Sequence, residues 1–311
     1  MMKSTPDCRN IIFLLLCAVC PAAWPGDLLA PECRQLIPVS NPAAAPAQYH
    51  HGLLWKISKA GSPPNYLFGT IHVSDDRILK LPAQVSTALR ASRVFVMETV
   101  PDVNQILLSS NRMFYGNGDR LDLLLSGTIF AKTVSILSAY NLPAESVPLL
   151  KPWAAFLTMN YPPETGTILD LELLRMAREN KARVHGLETM DEQIDVLDDL
   201  AVQDQLRLLI DTVCHYELVA EEFEMLKDLY LQRDLQGLVD YSNRYTMAED
   251  AAYQNLFAEL LTKRNHTMAA AMRSYLDQGG AFIAIGVMHL PGAEGVLHLL
   301  VQQQYEIAVV Y

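Results

Sequence analysis

The sequence predicts an α/β protein whose central sheet is built from two related halves, with a large helical section inserted between them. Three observations carry this reading. Short β-branched and aromatic runs end in Gly, His or Glu; two of them share the pattern strand-Gly-x-x-His; and the long stretch separating those two repeats apolar residues at helical spacing. The composition agrees. Of 311 residues, 50% are hydrophobic and 19% charged, enough to bury the core of one large or two small domains. Lys and Arg number 24 against 35 Asp and Glu, for a net charge of −11. No nucleic-acid partner is expected, because binding phosphates requires clustered cations.

In chain order, residues 1–22 read as a signal peptide. Lys3 and Arg9 precede the apolar run Ile11 to Val19, and small residues follow, with cleavage after Ala22 or Ala23. That run is too short to span a bilayer. A lipid anchor on Cys20 ranks second, since Val19 is larger than the residue such sites usually carry before the Cys. The later apolar stretch Ala281 to Leu300 is broken by Gly286, His289, Pro291 and Gly292, so no stable membrane span is expected after signal cleavage. The mature chain is expected to be exported, periplasmic or secreted. Cys8, Cys17 and Cys20 leave with the signal, and Cys33 and Cys214 remain. Either these two pair in an oxidising compartment, or Cys214 is a buried apolar side chain and Cys33 sits in a mobile arm.

Residues 23–50 read as a Pro/Ala-rich arm or linker, with Pro38, Pro42 and Pro46 around an alanine-rich centre, and are expected to be mobile. The domain proper is set at 51–311. Its strands are read at Tyr66 to Phe68, leading into Gly69-Thr70-Ile71-His72; at Val94 to Met97, leading into Glu98; at Arg183-Val184, continuing through His185-Gly186 to Leu187-Glu188; at Phe282 to Ile285, leading into Gly286-Val287-Met288-His289; and at Ile307 to Tyr311. The helical insertion covers about 103–279. Within it Ile194, Leu197, Leu200, Leu206, Leu209, Ile210 and Val213 recur near helical spacing.

One constellation can carry chemistry. His72 and His289 each follow an apolar strand, a Gly and two spacers, and Glu98 closes a third strand. In an open α/β sheet the carboxyl ends of parallel strands border the usual ligand crevice, where two imidazoles and a carboxylate could meet. Such a set suits a divalent ion that keeps positions open for water and substrate. Taken singly, each His is more readily a hydrogen-bonded structural residue; the repetition beside Gly brings the metal reading of the pair level with that one.

These residues also carry a resemblance. GTIH at Gly69 to His72, Glu98 after a strand, Lys151-Pro152-Trp153, Asp170, Gly186-Leu187-Glu188-Thr189 followed by Glu192-Gln193, Arg264-Asn265, and GVMHLPG at Gly286 to Gly292 resemble the TraB/GumN family, from about Gly52 to the end of the chain. That family is related to the TIKI metalloproteases and more distantly to ChaN-like haem-binding and erythromycin-esterase-like proteins. The resemblance implies motifs facing one cleft, with His72, Glu98 and His289 as metal ligands. Glu98, Arg264 and Glu188 are the catalytic candidates, Arg264 for developing negative charge and Glu188 as a base, a further ligand or an ion-pair partner of Arg264. Local pattern offers plainer roles as well: Asp170 as a helix cap, Asn265 as a cap with Arg264 on the surface, and Glu188 at a helix start. The expected function is an exported metal-dependent hydrolase, its ion unspecified, acting on a peptide or small-molecule substrate. A haem or small-ligand carrier and a non-catalytic interaction protein are the alternatives.

Overall fold

The computed structural model describes residues 32–39, 49–161, 163 and 166–311. The signal peptide, Cys20 and most of the arm lie outside the described residues. Six strands form one mixed sheet: β1 (Leu54–Ser58), β2 (Asn65–Thr70), β3 (Val94–Met97), β4 (Arg183–Gly186), β5 (Ala281–Gly286) and β6 (Glu306–Val309), in the order β4-β3-β5-β2-β1-β6. The four strands β4, β3, β5 and β2 are parallel, while β1 runs antiparallel to both β2 and β6. The strand β1 has no counterpart among the strands expected from sequence. The two strands at the centre of the parallel part, VFVM and AFIAIG, are buried throughout, as expected where helices cover both faces. Asn65 fastens the start of this sheet: its side chain donates to Leu276 O and accepts from Ala281 N, both at 3.0 Å.

Around the sheet run α1 (Asp76–Leu79), α2 (Ala83–Ala91), α3 (Val103–Arg112), α4 (Gly127–Leu137), α5 (Pro152–Met159), α6 (Leu169–Glu179), α7 (Met190–Asp198), α8 (Val202–Cys214), α9 (Val219–Gln232), α10 (Leu235–Ser242), α11 (Ala251–Phe257), α12 (Arg264–Leu276) and α13 (Val296–Gln302). The α/β class and the inserted helical section are therefore as the sequence indicates, with one refinement. The insertion serves two hydrophobic interiors. Leu173 of α6, Phe223 of α9, Leu238 of α10 and Met272 of α12 join the sheet in one core. Leu137 of α4, Trp153 of α5, Leu209 of α8 and Leu256 of α11 form a second. A π-helical segment, Ala258–Lys263, links α11 in the second core to α12 in the first. The strand β4 returns from the insertion to the sheet edge beside β3.

Residues 32–39 of the arm are docked on this second core. Cys33 and Cys214 form a disulfide, the guanidinium of Arg34 pairs with buried Asp211 and with Asp250, and Val39 N donates to Arg244 O at 2.8 Å. Among the described residues no helix is long and apolar enough to cross a membrane.

Candidate functional site

The parallel strands deliver their carboxyl ends to one edge of the sheet. In that edge β2 and β5 are direct neighbours, with Gly69 opposite Ile285 and Thr70 opposite Gly286, so the two Gly-x-x-His units emerge side by side. Gly69 is required by close approach: a Cβ there would meet Leu290 Cδ1 at 2.7 Å and Val287 Cγ2 at 3.2 Å, both from the second unit. Tyr230 of α9 donates to Gly69 O at 2.8 Å and holds the first unit from the other side. Next to β5, the strand β3 ends in Glu98, whose carbonyl accepts from Leu187 N and Glu188 N and so locks the end of β4 beside it.

These four strand ends and the start of α12 bring together the predicted residues. His72 (5% exposed), Glu98 (3%), Arg264 (6%) and His289 (0%) are all buried. Glu98 Oε1 accepts from Gly286 N at 2.6 Å and stands 3.7 Å from His289 Nε2. Its Oε2 accepts from Arg264 Nη2 at 2.7 Å and from Gln193 Nε2 at 3.3 Å. Arg264 also pairs with Glu188 through Nε and Nη2, and its Nη1 donates to Leu260 O at 3.2 Å. Gln193 closes this ring by donating to Glu188 Oε1 at 2.9 Å. Arg264 is thus the cation shared by two carboxylates, and Glu188 is its ion-pair partner. The helix start beyond Glu188 is managed by others: Thr189 and Glu192 form a reciprocal capping box.

Three local expectations give way here. Asp170 does not cap α6; the cap residue is Ile168, which makes no side-chain bond. Asp170 is buried, accepting from Thr70 Oγ1 at 2.7 Å and meeting His72 Nδ1 at 2.6 Å. Asn265 does not cap α12 either, and Arg264 is not on the surface. The helix already begins at Arg264, and Asn265 Oδ1 lies 2.7 Å from His289 Nδ1. The π segment before α12 carries both residues inward. Asp170, Asn265 and Gln193 are the site residues that local pattern missed; their one signal was that each stands in the family-like motif set. Lys151 and Trp153, from the same set, hold Asp198 at the end of α7, at 2.7 and 2.8 Å, and so anchor the helix that carries Gln193.

The electrostatics follow from burial and pairing. Burial pushes the Glu98 pKa up, but Arg264, the two imidazoles and the Gly286 N–H outweigh it and hold the carboxyl at about 2. For His72 burial alone would lower the pKa; the neighbouring Asp170, with Glu98, reverses this and raises it. His289 has no such carboxylate on Nδ1, and burial takes it down to about 3. Burial also works against the Arg264 charge, and Glu98 and Glu188 more than restore it.

Whether a divalent ion suits these residues is tested by His289. Its Nε2 is buried and has no hydrogen-bond partner among the described residues, yet it faces Glu98 Oε1. Each His gives its Nδ1 to a second residue, Asp170 or Asn265, the usual support of an imidazole that ligates through Nε2. Two nitrogens and one carboxylate oxygen match Zn, Mn, Co or Fe(II). The donors fit. Among the described residues, no group of three or more His, Cys, Asp or Glu is already gathered at metal-holding distances.

Fold and site together define an α/β protein with paired Gly-x-x-His units and an acidic strand end at one sheet edge. A sequence model of the TraB/PrgY/gumN family matches residues 53–309, and the chain belongs to that family. No curated protein and no solved structure matches it.

Proposed function

We propose that this chain is an exported, metal-dependent hydrolase whose ion is held by His72, Glu98 and His289 and whose substrate is a peptide or a small molecule with a hydrolysable carbonyl. The observation that carries the reading is the 3.7 Å approach of His289 Nε2 to Glu98 Oε1, two buried atoms with no hydrogen bond between them. A cation between them would satisfy both. When bound, such an ion would acidify a water and polarise a carbonyl. The protein's own part is positional. Asp170 and Asn265 fix the two imidazole rings, and the Gly286 N–H fixes Oε1 of Glu98. Arg264 and Gln193 hold Oε2, so Glu98 stays ionised and cannot swing away from the histidines. Because the Arg264 donors are directed at Glu98, Glu188 and Leu260 O, its role is to place Glu98 and balance its charge. Glu188 acts through Arg264 in the same way.

The haem alternative is not favoured by this geometry. A porphyrin iron on His289 would need the space in front of Nε2, where the Glu98 carboxylate stands. The test is metal content after equilibration with Zn²⁺ or Mn²⁺ and gel filtration. The chain is expected to retain about one ion, and the double variant His72→Ala/His289→Ala none; equal retention by both overturns the site. Hydrolysis of a peptide library by the loaded chain, lost in Glu98→Gln, is the expected activity.

A further inference from the structure

We propose that Asn265 is a positioning residue that fixes the tautomer of His289, keeping the proton on Nδ1 and the lone pair on Nε2. The argument runs through three contacts. Asn265 Nδ2 donates at 2.8 Å to the backbone carbonyl of Glu294, a group that can only accept. This sets the direction of the amide: exchanging its ends would place Oδ1 against a carbonyl oxygen. With the amide so fixed, Oδ1 is the atom 2.7 Å from His289 Nδ1. An amide oxygen cannot donate, so Nδ1 must carry the hydrogen.

The other nitrogen completes the case. Glu98 Oε1, the nearest carboxylate oxygen, is 3.7 Å from His289 Nε2, beyond hydrogen-bond range, and is engaged by the Gly286 N–H at 2.6 Å. A proton on Nε2 would be a buried donor with no acceptor, while Nδ1 and Asn265 Oδ1 would present lone pairs to each other. Both costs vanish when Nδ1 holds the hydrogen. The two histidines are therefore set differently: His72 by the carboxylate of Asp170, and His289 by a neutral amide that imposes a tautomer without adding a charge.

The consequence for ion binding rests on the proposed metal site, but the tautomer does not, and the experiment separates them. With ¹⁵N-histidine in the metal-free chain near neutral pH, the ring assigned to His289 by its absence in His289→Gln should show a protonated Nδ1 and a bare Nε2. Asn265→Asp, which keeps an acceptor for Nδ1–H but adds a charge, should keep Nδ1 protonated. Asn265→Ala should shift His289 to the other tautomer or to a mixture and weaken Zn²⁺ uptake about 10- to 100-fold. A protonated Nε2 in the parent chain, or an unchanged His289 pattern in Asn265→Ala, overturns the inference. The expected tautomer with no Zn²⁺ retained would sink the metal reading and leave Asn265 in its role.

Discussion

His72 and Asp170 stand 98 residues apart in the chain and meet with Nδ1 2.6 Å from Oδ2, both side chains buried. The carboxylate raises the imidazole pKa above its ordinary 6.5, so the protonated form is favoured by folding. The stabilisation it gives is complete below pH 6.5 and is lost as pH rises through the folded-state value. Asp170→Asn should abolish that alkaline loss in urea unfolding of the metal-free protein. It should also cost about 1.5–3 kcal/mol near pH 6, the worth of a charged hydrogen bond.

Arg264 neutralises two buried acids at once. Arg264→Met should therefore destabilise by roughly 3–5 kcal/mol, because Glu98 and Glu188 would be left buried without a cation. Adding Glu188→Gln should recover part of the loss. A double-mutant cycle on denaturation midpoints measures the coupling, and strict additivity would contradict the shared ion pair.

His289 and Glu98 both contribute to the acid limb of stability. His289 falls from 6.5 to about 3 on folding, so between these values the unfolded chain binds the extra proton and stability drops as pH falls. His289 should contribute up to about 1.4 kcal/mol per pH unit to the slope in the metal-free protein, a share that is lost in His289→Gln. Glu98 adds a second loss at lower pH, as acid titrates it from its ordinary 4.5 toward about 2. Chemical denaturation at stepped pH, in the parent chain and in His289→Gln, separates the two contributions.

Gly69→Ala tests the contact between the paired units. The new Cβ would press on Leu290 and Val287, and overpacking of this kind costs typically about 1–3 kcal/mol. Gly127→Ala, where a Cβ meets open space, is the matched control. A lower melting temperature is expected only for the first.

The arm should contribute through its covalent link. The Cys33–Cys214 disulfide joins positions 181 apart, and its loss typically costs about 2–4 kcal/mol through the freedom regained by the unfolded chain. Comparing unfolding with and without reductant, alongside Cys33→Ser/Cys214→Ala, checks this. Identical midpoints would show that the docked residues are held by their non-covalent contacts, those of Arg34 and Val39 among them.

The sheet was the most legible part of the molecule, because buried parallel strands must be apolar runs and their ends are marked by Gly, His and Glu. The strand β1 escaped although Gly61-Ser62-Pro63-Pro64 follows it closely, because LWKIS does not run into the His or Glu that marks the ends of the parallel strands. His72, Glu98 and His289 were legible for the same reason the strands were. Asp170, Gln193 and Asn265 were not: each lies at or near a helix start, where acidic and amide side chains ordinarily serve the backbone. Their actual partners are 98, 95 and 24 positions away and become neighbours only through the crossing of helices over the sheet edge. The division of the insertion into two interiors was hidden likewise, since helical periodicity says which residues are buried and not against what.

The looser turn between α11 and α12 has a consequence for how this protein can vary. It lets one continuous rod serve two interiors whose phases do not match, the way a vernier reconciles two scales. Removing a single residue from Ala258–Lys263 would turn everything beyond it by roughly 100° relative to what precedes, and Arg264 and Asn265 would rotate off the sheet edge together. Descendants of this chain are thus free to exchange the exposed side chains of that stretch, but not its buried Leu260, and not to shorten or lengthen it.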